Sequence, residues 1–111
     1  MEGEPDLLNA VVAVFLETTP AALVTLARAA VTNDLGDLQN AAHDLKSSGA
    51  TLGAHQFSLR CARLEAMARA GLASDTRALV GEIAAEFAAL RPLLANLVRE
   101  RERSMQLADA R

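Results

Sequence analysis

Residues 43–54 read HDLKSSGATLGA and have the pattern of an amphipathic helix that carries a histidine on its polar side. Side chains three and four positions apart share one face of a helix. The polar face consists of Gln39, Asn40, His43, Lys46, Ser47 and Ala50, and the apolar face of Leu38, Ala41, Ala42, Leu45, Gly49 and Leu52. The apolar face anchors the helix, so we expect the imidazole to point to solvent.

This placement of His43 predicts a phosphorylatable histidine. A neutral imidazole is nucleophilic near pH 7 and is a good leaving group once phosphorylated. Lys46, one turn further on, would supply positive charge to the phosphoryl group. Ser47 is small enough for a partner to close over the ring. Gly49 would permit close approach of a neighbouring helix, and Ser48 would hydrogen-bond there or to the phosphoryl group.

The same segment resembles the signature of histidine-containing phosphotransfer (HPt) domains, roughly His-x-Leu-Lys-Gly/Ser-Ser-Ser/Ala-Ala-x-Leu-Gly-Ala. The direct matches are His43, Leu45, Lys46, Ser48, Ala50, Leu52, Gly53 and Ala54. Ser47 occupies a position where the family often has glycine but also uses serine, and Gly49 stands where the family usually has another small residue. The resemblance implies an antiparallel four-helix bundle with an additional N-terminal helix. It also implies that His43 relays a phosphoryl group between receiver-domain aspartates in multistep two-component signalling.

The composition favours one all-α domain. The chain has 111 residues, of which 51% are hydrophobic, yet it has no Trp or Tyr and only three Phe. Helices packed through aliphatic side chains fit that composition. A net charge of −3 argues against a nucleic-acid partner, which needs clustered Lys and Arg. We expect no structural metal, because two histidines and the single Cys61 lack zinc-ligand spacing.

The sequence predicts a cytoplasmic protein without a membrane segment. A signal peptide would begin with basic residues, whereas Glu2, Glu4 and Asp6 make this end acidic. No uncharged stretch approaches the roughly 20 residues that cross a bilayer, and the longest apolar run is Leu7 to Leu16. A lone cysteine, predicted to pack as a small apolar residue, also fits a reducing compartment.

Two helices are predicted in the first third of the chain. Apolar residues at helical spacing over residues 7–16 predict a first helix, with Asp6 as a candidate N-cap. Thr19 and Pro20 have the pattern of a cap followed by proline at the first helical position. We therefore expect a second helix from there to about residues 32–34.

A third and a fourth helix form the centre of the chain. The third is predicted from Leu35 to Leu52, with Gly53 as its C-terminal stop. The fourth follows almost at once and ends in the same way at Gly71. Two long helices joined by so short a turn must lie antiparallel.

The last predicted helix opens at Ser74-Asp75 and contains Pro92. Proline removes a backbone donor, so we expect a kink or a break after about Leu90. The apolar stripe is lost from Arg99 onward, where the charges alternate. The chain is therefore predicted to be one domain, residues 1–111, with a core of about residues 5–98 and a frayed or linker tail over residues 99–111.

The chain lacks the motifs of a self-sufficient kinase. The sequence has no Walker-type phosphate loop, no nucleotide-binding motif and no acidic cluster for Mg²⁺. We therefore expect a phosphoryl carrier without autonomous kinase activity and without a cofactor of its own. The resemblance implies response-regulator receiver domains, a hybrid sensor histidine kinase, or both as partners, and the receiver domain would bring the Mg²⁺.

The predicted docking surface surrounds His43. An apolar stripe on the first helix is offset from its inner face and, by resemblance, lies beside the histidine. The predicted partner-binding residues are Leu7, Val11, Val14, Thr18, Asn40 and Ala50. Arg69, together with Glu65, is predicted to border the site, with Gln39 in support. Arg60 and Arg63 fit a solvated face, and His55, which has no lysine partner, is a useful internal control.

Two other interpretations remain open at this point. A helical adaptor could bind a receiver domain or a kinase through the same surface without being phosphorylated. The long final helix could instead dimerise the protein in the manner of a histidine-kinase dimerisation domain. The phosphoryl-carrier interpretation predicts a monomer.

Overall fold

The computed structural model describes residues 7–72 and 74–109 and contains four α-helices in that part of the chain. The helices are α1 (Leu7–Thr32), α2 (Leu35–Leu52), α3 (His55–Arg69) and α4 (Thr76–Asp109). Within these residues α2 packs against α1 and α3, and α4 also packs against α1 and α3. The predicted all-α class is therefore confirmed.

The core is built from aliphatic side chains around three phenylalanines. Phe15 of α1 lies edge-on to Phe57 of α3, with ring centroids 5.3 Å apart, and 5.6 Å from Phe87 of α4. Such edge-on and tilted pairs are favoured by the charge distribution of the rings. Cys61 is fully buried beside them, as predicted, and burial raises the pKa of its thiol to about 12.

α1 is continuous where two helices were predicted. Pro20 lies inside it, and Thr19, the predicted cap, is buried with no hydrogen-bond partner for its hydroxyl. A proline inside a helix costs roughly 3 kcal/mol, largely through a lost hydrogen bond and a steric clash. Buried residues on both sides of it, among them Val12 and Leu26, face one core and offset that cost. The predicted additional N-terminal helix is therefore not a separate element, because residues 7–16 form the first part of α1. Asp6, its candidate cap, lies outside the described residues.

α4 is also continuous, and it extends well past the other helices. It begins directly after Ser74-Asp75 and passes through Pro92 to Asp109, so the break predicted after about Leu90 is absent. Residues 99–109, predicted to fray, are helical in the structure. A helix of 34 residues is about 51 Å long, which gives the molecule its extents of 58 × 21 × 20 Å.

α2 begins at Leu35 and ends at Leu52, as predicted. Asp34 caps its start, because the side chain accepts a hydrogen bond from the Asp37 N–H at 3.1 Å. Gly53 ends it in the left-handed conformation at φ 83°, which glycine adopts without steric cost. The Ala54 N–H then donates to the carbonyl of Gly49 at 2.8 Å, and α3 begins at His55.

α1 meets the length and composition of a membrane-spanning helix, contrary to the prediction that no segment does so. The prediction considered only uninterrupted uncharged stretches, whereas α1 is apolar overall and carries only two charged side chains, Glu17 and Arg28. A core helix of a soluble protein passes the same test, and six residues of α1 are buried in this bundle.

Candidate functional site

His43 lies in the middle of α2 and is exposed, as predicted. The apolar face of α2 is buried through Leu38, Ala42 and Leu45, which turns the opposite face outward. The His43 side chain is 56% exposed, and its Nδ1 lies 2.8 Å from Oε2 of Glu65 on α3. One edge of the imidazole is therefore held by α3, and the edge that carries Nε2 lies opposite it.

Glu65 is the centre of the polar cluster around His43. Its side chain is only 6% exposed, and its carboxylate oxygens lie close to three nitrogen atoms. Hydrogen bonds from Lys46 and His43 hold the pKa of the Glu65 carboxyl below its ordinary value of 4.5. An ionised carboxylate only accepts hydrogen bonds, so Nδ1 of His43 carries the proton and donates. In the neutral ring, Nε2 then has the free electron pair.

Two cations share this carboxylate with His43. Lys46 Nζ lies 2.6 Å from Oε1 of Glu65, and Arg69 Nη2 lies 3.0 Å from Oε2. Both were predicted to support or border the site. The structure brings both cations to Glu65, the residue that also contacts Nδ1 of His43.

Close packing of α2 against α3 sets the distance between His43 and Glu65. A Cβ atom on Gly49 would lie 2.9 Å from Cδ1 of Phe57 and 3.4 Å from the backbone nitrogen of Ser58. Glycine at this position therefore allows the close helix approach that was predicted. The Ser58 hydroxyl adds a hydrogen bond of 3.0 Å to the carbonyl of Lys46.

An apolar groove of about 420 Å³ lies between the start of α1 and the end of α2. Its lining is Leu7, Ala10, Val11, Val14, Phe15, Ser47, Ser48 and Thr51. Leu7 and Val14 are exposed apolar side chains, at 71% and 58%. Ser47 lies one turn beyond His43, so the groove ends one turn of α2 away from the histidine.

The other predicted site residues lie around this centre rather than in it. Thr18 is exposed and donates to the carbonyl of Val14 at 2.8 Å, outside the groove lining. Asn40 and Ala50 are exposed on α2, and Gln39 is half-buried one turn before His43. The Ser48 hydroxyl donates to the carbonyl of Asp44 on its own helix at 3.0 Å, and its predicted hydrogen bond to the phosphoryl group stays a prediction.

Arg60 forms ion pairs with two glutamates of α4. Its guanidinium group lies 3.6 Å from Oε1 of Glu82 and 3.2 Å from Oε1 of Glu86, which connects α3 to α4. His55 is exposed at the first position of α3. Residues 7–72 and 74–109 contain no group of three or more His, Cys, Asp or Glu side chains that could hold a metal ion.

The role of Glu65 was the main feature that the sequence analysis missed. Glu65 was named only as a neighbour of Arg69, and its contacts with His43 and Lys46 were not predicted. One signal was present: Glu65 falls between Cys61, Leu64 and Ala68 on the inner face of α3, where an ionisable side chain needs a partner.

The geometry suits a protein that carries a phosphoryl group on an imidazole, and comparisons with known proteins agree. The sequence profile of the Hpt domain family matches residues 10–93. The chain therefore belongs to the Hpt domain family and is a phosphoryl carrier of phosphorelay signalling.

A solved structure supports the same assignment. The crystal structure of histidine-containing phosphotransfer protein B from Pseudomonas aeruginosa is similar to this chain, with a TM-score of 0.79 and 26% sequence identity. The match covers 83% of this chain and 80% of that one. A comparison with curated protein sequences gave no match.

Proposed function

We propose that Nε2 of His43 is the atom that accepts and releases the phosphoryl group. The observation that carries this proposal is the 2.8 Å contact between Nδ1 and the ionised Glu65, which leaves the electron pair on Nε2. Nε2 attacks the phosphorus of a receiver aspartyl phosphate, and the bond to the carboxylate oxygen breaks with its electron pair on that oxygen. The reverse step discharges His43 to a second receiver domain.

Lys46 supports the transfer through its charge. Phosphoryl transfer needs positioning and compensation of charge on the equatorial oxygens more than further covalent chemistry. The Lys46 side chain is 34% exposed and lies beside the imidazole, so its ammonium group can turn from Glu65 to an arriving phosphoryl group. Mg²⁺ and the acidic pocket belong to the receiver domain, and this chain needs no cofactor or kinase activity of its own.

The test of this function is transfer from a phosphorylated receiver domain, with Mg²⁺ present, to wild type, His43→Gln and His55→Gln. We expect an acid-labile, base-stable label on wild type and His55→Gln and no label on His43→Gln. His55→Gln is the matched control, because it removes an exposed histidine twelve residues away on α3. Absence of label on all three folded proteins, tried with a broad set of receivers, would instead support the non-phosphorylated adaptor.

Receiver domains are proposed to dock on the groove beside Ser47. An exposed apolar patch next to polar residues fits a transient interface, and Leu7 and Val11 supply apolar surface there. In the complex with a receiver domain, Leu7→Glu and Val11→Glu would each bury a carboxylate that has no partner. We therefore expect at least about tenfold weaker receiver binding. The control is Val24→Glu, at an exposed valine of α1 outside the groove lining. Unchanged affinity in folded Leu7→Glu and Val11→Glu would exclude this surface.

The proposal extends to the localisation, the oligomeric state and the other possible partners of the protein. We propose a cytoplasmic monomer that binds neither nucleic acid nor membrane. The net charge of −3 supports the absence of a nucleic-acid partner. The burial of one side of α1 in the core supports the absence of a membrane contact. Sedimentation equilibrium would measure the mass, and a dimer would revive the alternative in which α4 is a dimerisation helix.

A further inference from the structure

Asp44, the residue after His43, is an exposed carboxylate that has no partner among residues 7–72 and 74–109. It differs in this respect from the other ionisable side chains of α2. Asp37 pairs with an arginine of α1 at 2.9 Å, and His43 and Lys46 both contact Glu65. The charge of Asp44 therefore makes no contribution to the fold through an ion pair or a hydrogen bond.

Asp44 lies on the side of α2 that faces α1. Asp37, two turns earlier on the same stripe, pairs with Arg28 of α1, and Ser48, one turn after Asp44, lines the groove between α1 and α2. The two cations near the imidazole contact Glu65 on the opposite side of α2. The surface around the imidazole is thus acidic towards α1 and basic towards α3.

α1 offers no cation that could pair with Asp44. Its ionisable side chains are Glu17 and Arg28. Arg28 donates a hydrogen bond to Asp37 at 2.9 Å, and Glu17 is exposed and has the same charge as Asp44. A cation opposite Asp44 therefore has to come from a partner.

A partner that reaches both His43 and the groove also covers Asp44. Asp44 directly follows His43, and it lies one turn before Ser47 and Ser48, which line the groove. In the proposed transfer Nε2 of His43 comes within bonding distance of phosphorus, so the surface of the partner has to contact α2 around the ring. The carboxylate of Asp44 consequently loses water when the complex forms.

The chemistry of transfer gives no reason for a carboxylate at this position. A carboxylate beside a phosphoryl group raises the energy of that group through repulsion between like charges. Removal of an ionised carboxylate from water without a partner also weakens binding. A cation that the partner places against Asp44 would offset both effects.

We propose that Asp44 determines which receiver domains exchange phosphoryl groups with His43. A receiver that places a lysine or arginine side chain against Asp44 binds, and a receiver with an acidic or apolar side chain there binds poorly. The inference rests on the proposed docking of receiver domains beside His43. Asp44 does not touch the reacting atoms, so it is a specificity-determining residue and not a catalytic one.

Reversal of the charge at Asp44 tests the inference. The probe is the unphosphorylated form of the receiver domain that transfers fastest to wild type, or of the tightest-binding receiver if none transfers. Calorimetric titration gives its affinity for wild type, Asp44→Asn and Asp44→Lys. The matched controls are Glu102→Gln and Glu102→Lys, which change the net charge equally at an exposed carboxylate near the far end of α4.

The expected result is a loss of affinity at Asp44 alone. Asp44→Asn should bind at least about tenfold more weakly than wild type, and Asp44→Lys about hundredfold, because like charges then face each other. Both Glu102 variants should stay within about twofold of wild type, since a distant exposed charge is screened. Equal affinities of wild type and Asp44→Lys would overturn the inference. An equal loss in Glu102→Lys would also overturn it, because that result indicates net charge alone.

Reversal of charge on the receiver identifies the partner of Asp44. Lysine and arginine residues near the phosphorylated aspartate of the receiver are changed to glutamate one at a time. One of these changes should weaken the binding of wild type and restore at least about tenfold of the affinity that Asp44→Lys loses. If none restores it, no cation faces Asp44 and the inference is wrong.

The outcome is separable from that of the relay itself. A receiver that binds without transfer would contradict the relay, and the affinities of the Asp44 variants would still decide the role of Asp44. Phosphoramidate, a small phosphoryl donor, should label wild type and Asp44→Asn at rates within about threefold, because solvent screens an exposed carboxylate. A larger difference would indicate an effect on the ring and would overturn the inference, as would the absence of any receiver that binds wild type.

Discussion

At the scale of one residue, the contribution of the Lys46 side chain to the rate of phosphoryl transfer can be measured. In the proposed mechanism its ammonium group neutralises charge on the phosphoryl group, and Arg69, which also contacts Glu65, remains when Lys46 is replaced. We therefore expect Lys46→Gln to accept a phosphoryl group about tenfold more slowly than wild type, or ~1.4 kcal/mol of barrier, without losing acceptance. Initial rates of transfer from a phosphorylated receiver measure this. Lys46→Arg keeps the charge and is the control, and a Lys46→Gln protein as fast as wild type would contradict the assigned role.

The site residues differ in how far sequence alone could reveal them. His43 and Lys46 are three positions apart on one helix, so helical periodicity alone places them together. Glu65 is 22 positions from His43, and its contact depends on how α2 and α3 are aligned against each other. That alignment is set by packing at Gly49 and Phe57 across the two helices, which no local pattern encodes.

At the scale of the helices, two glycines should respond to alanine in opposite directions. Gly49→Ala places a Cβ 2.9 Å from the buried ring of Phe57, and such overpacking costs about 1–3 kcal/mol. This cost exceeds the gain of up to about 1 kcal/mol in helix propensity, so we expect a lower free energy of unfolding. Gly81→Ala on α4 meets nothing within 4 Å and should raise it by up to about 1 kcal/mol. Urea unfolding measures both, and a Gly49→Ala protein as stable as Gly81→Ala would contradict the packing argument.

Helix ends were predicted well where glycine marks them and poorly where proline does. Gly53 and Gly71 both have positive φ and end α2 and α3 as expected. Pro20 is predicted to start a helix and Pro92 to kink or break one, yet both lie within continuous helices. Proline indicates where a helix loses a hydrogen bond. At Pro20 buried residues on both sides offset that loss, whereas the described residues of α4 beyond Pro92 are half-buried or exposed and the helix continues without such packing.

At the scale of the whole molecule, the far end of α4 should contribute little to stability. Residues 99–108 are exposed except for the half-buried Arg101, and helix formation without tertiary packing is marginal. A chain that ends at Val98 should therefore keep Tm within about 4 °C of the full chain, which corresponds to less than about 1 kcal/mol. Thermal unfolding followed by circular dichroism measures this. A fall of more than about 8 °C would show that the predicted core boundary near residue 98 is wrong.

The connection between α2 and α3 has a consequence for the timing of assembly. His43, Lys46, Glu65 and Arg69 all belong to one helical hairpin, whose helices are joined only by Gly53 and Ala54. Contacts between residues so close along the chain require little loop-closure entropy and are typical of rapid folding. The polar cluster can therefore form as soon as this hairpin forms. It can also persist while the ends of the longer helices open and close, which keeps the carrier ready between encounters with its partners.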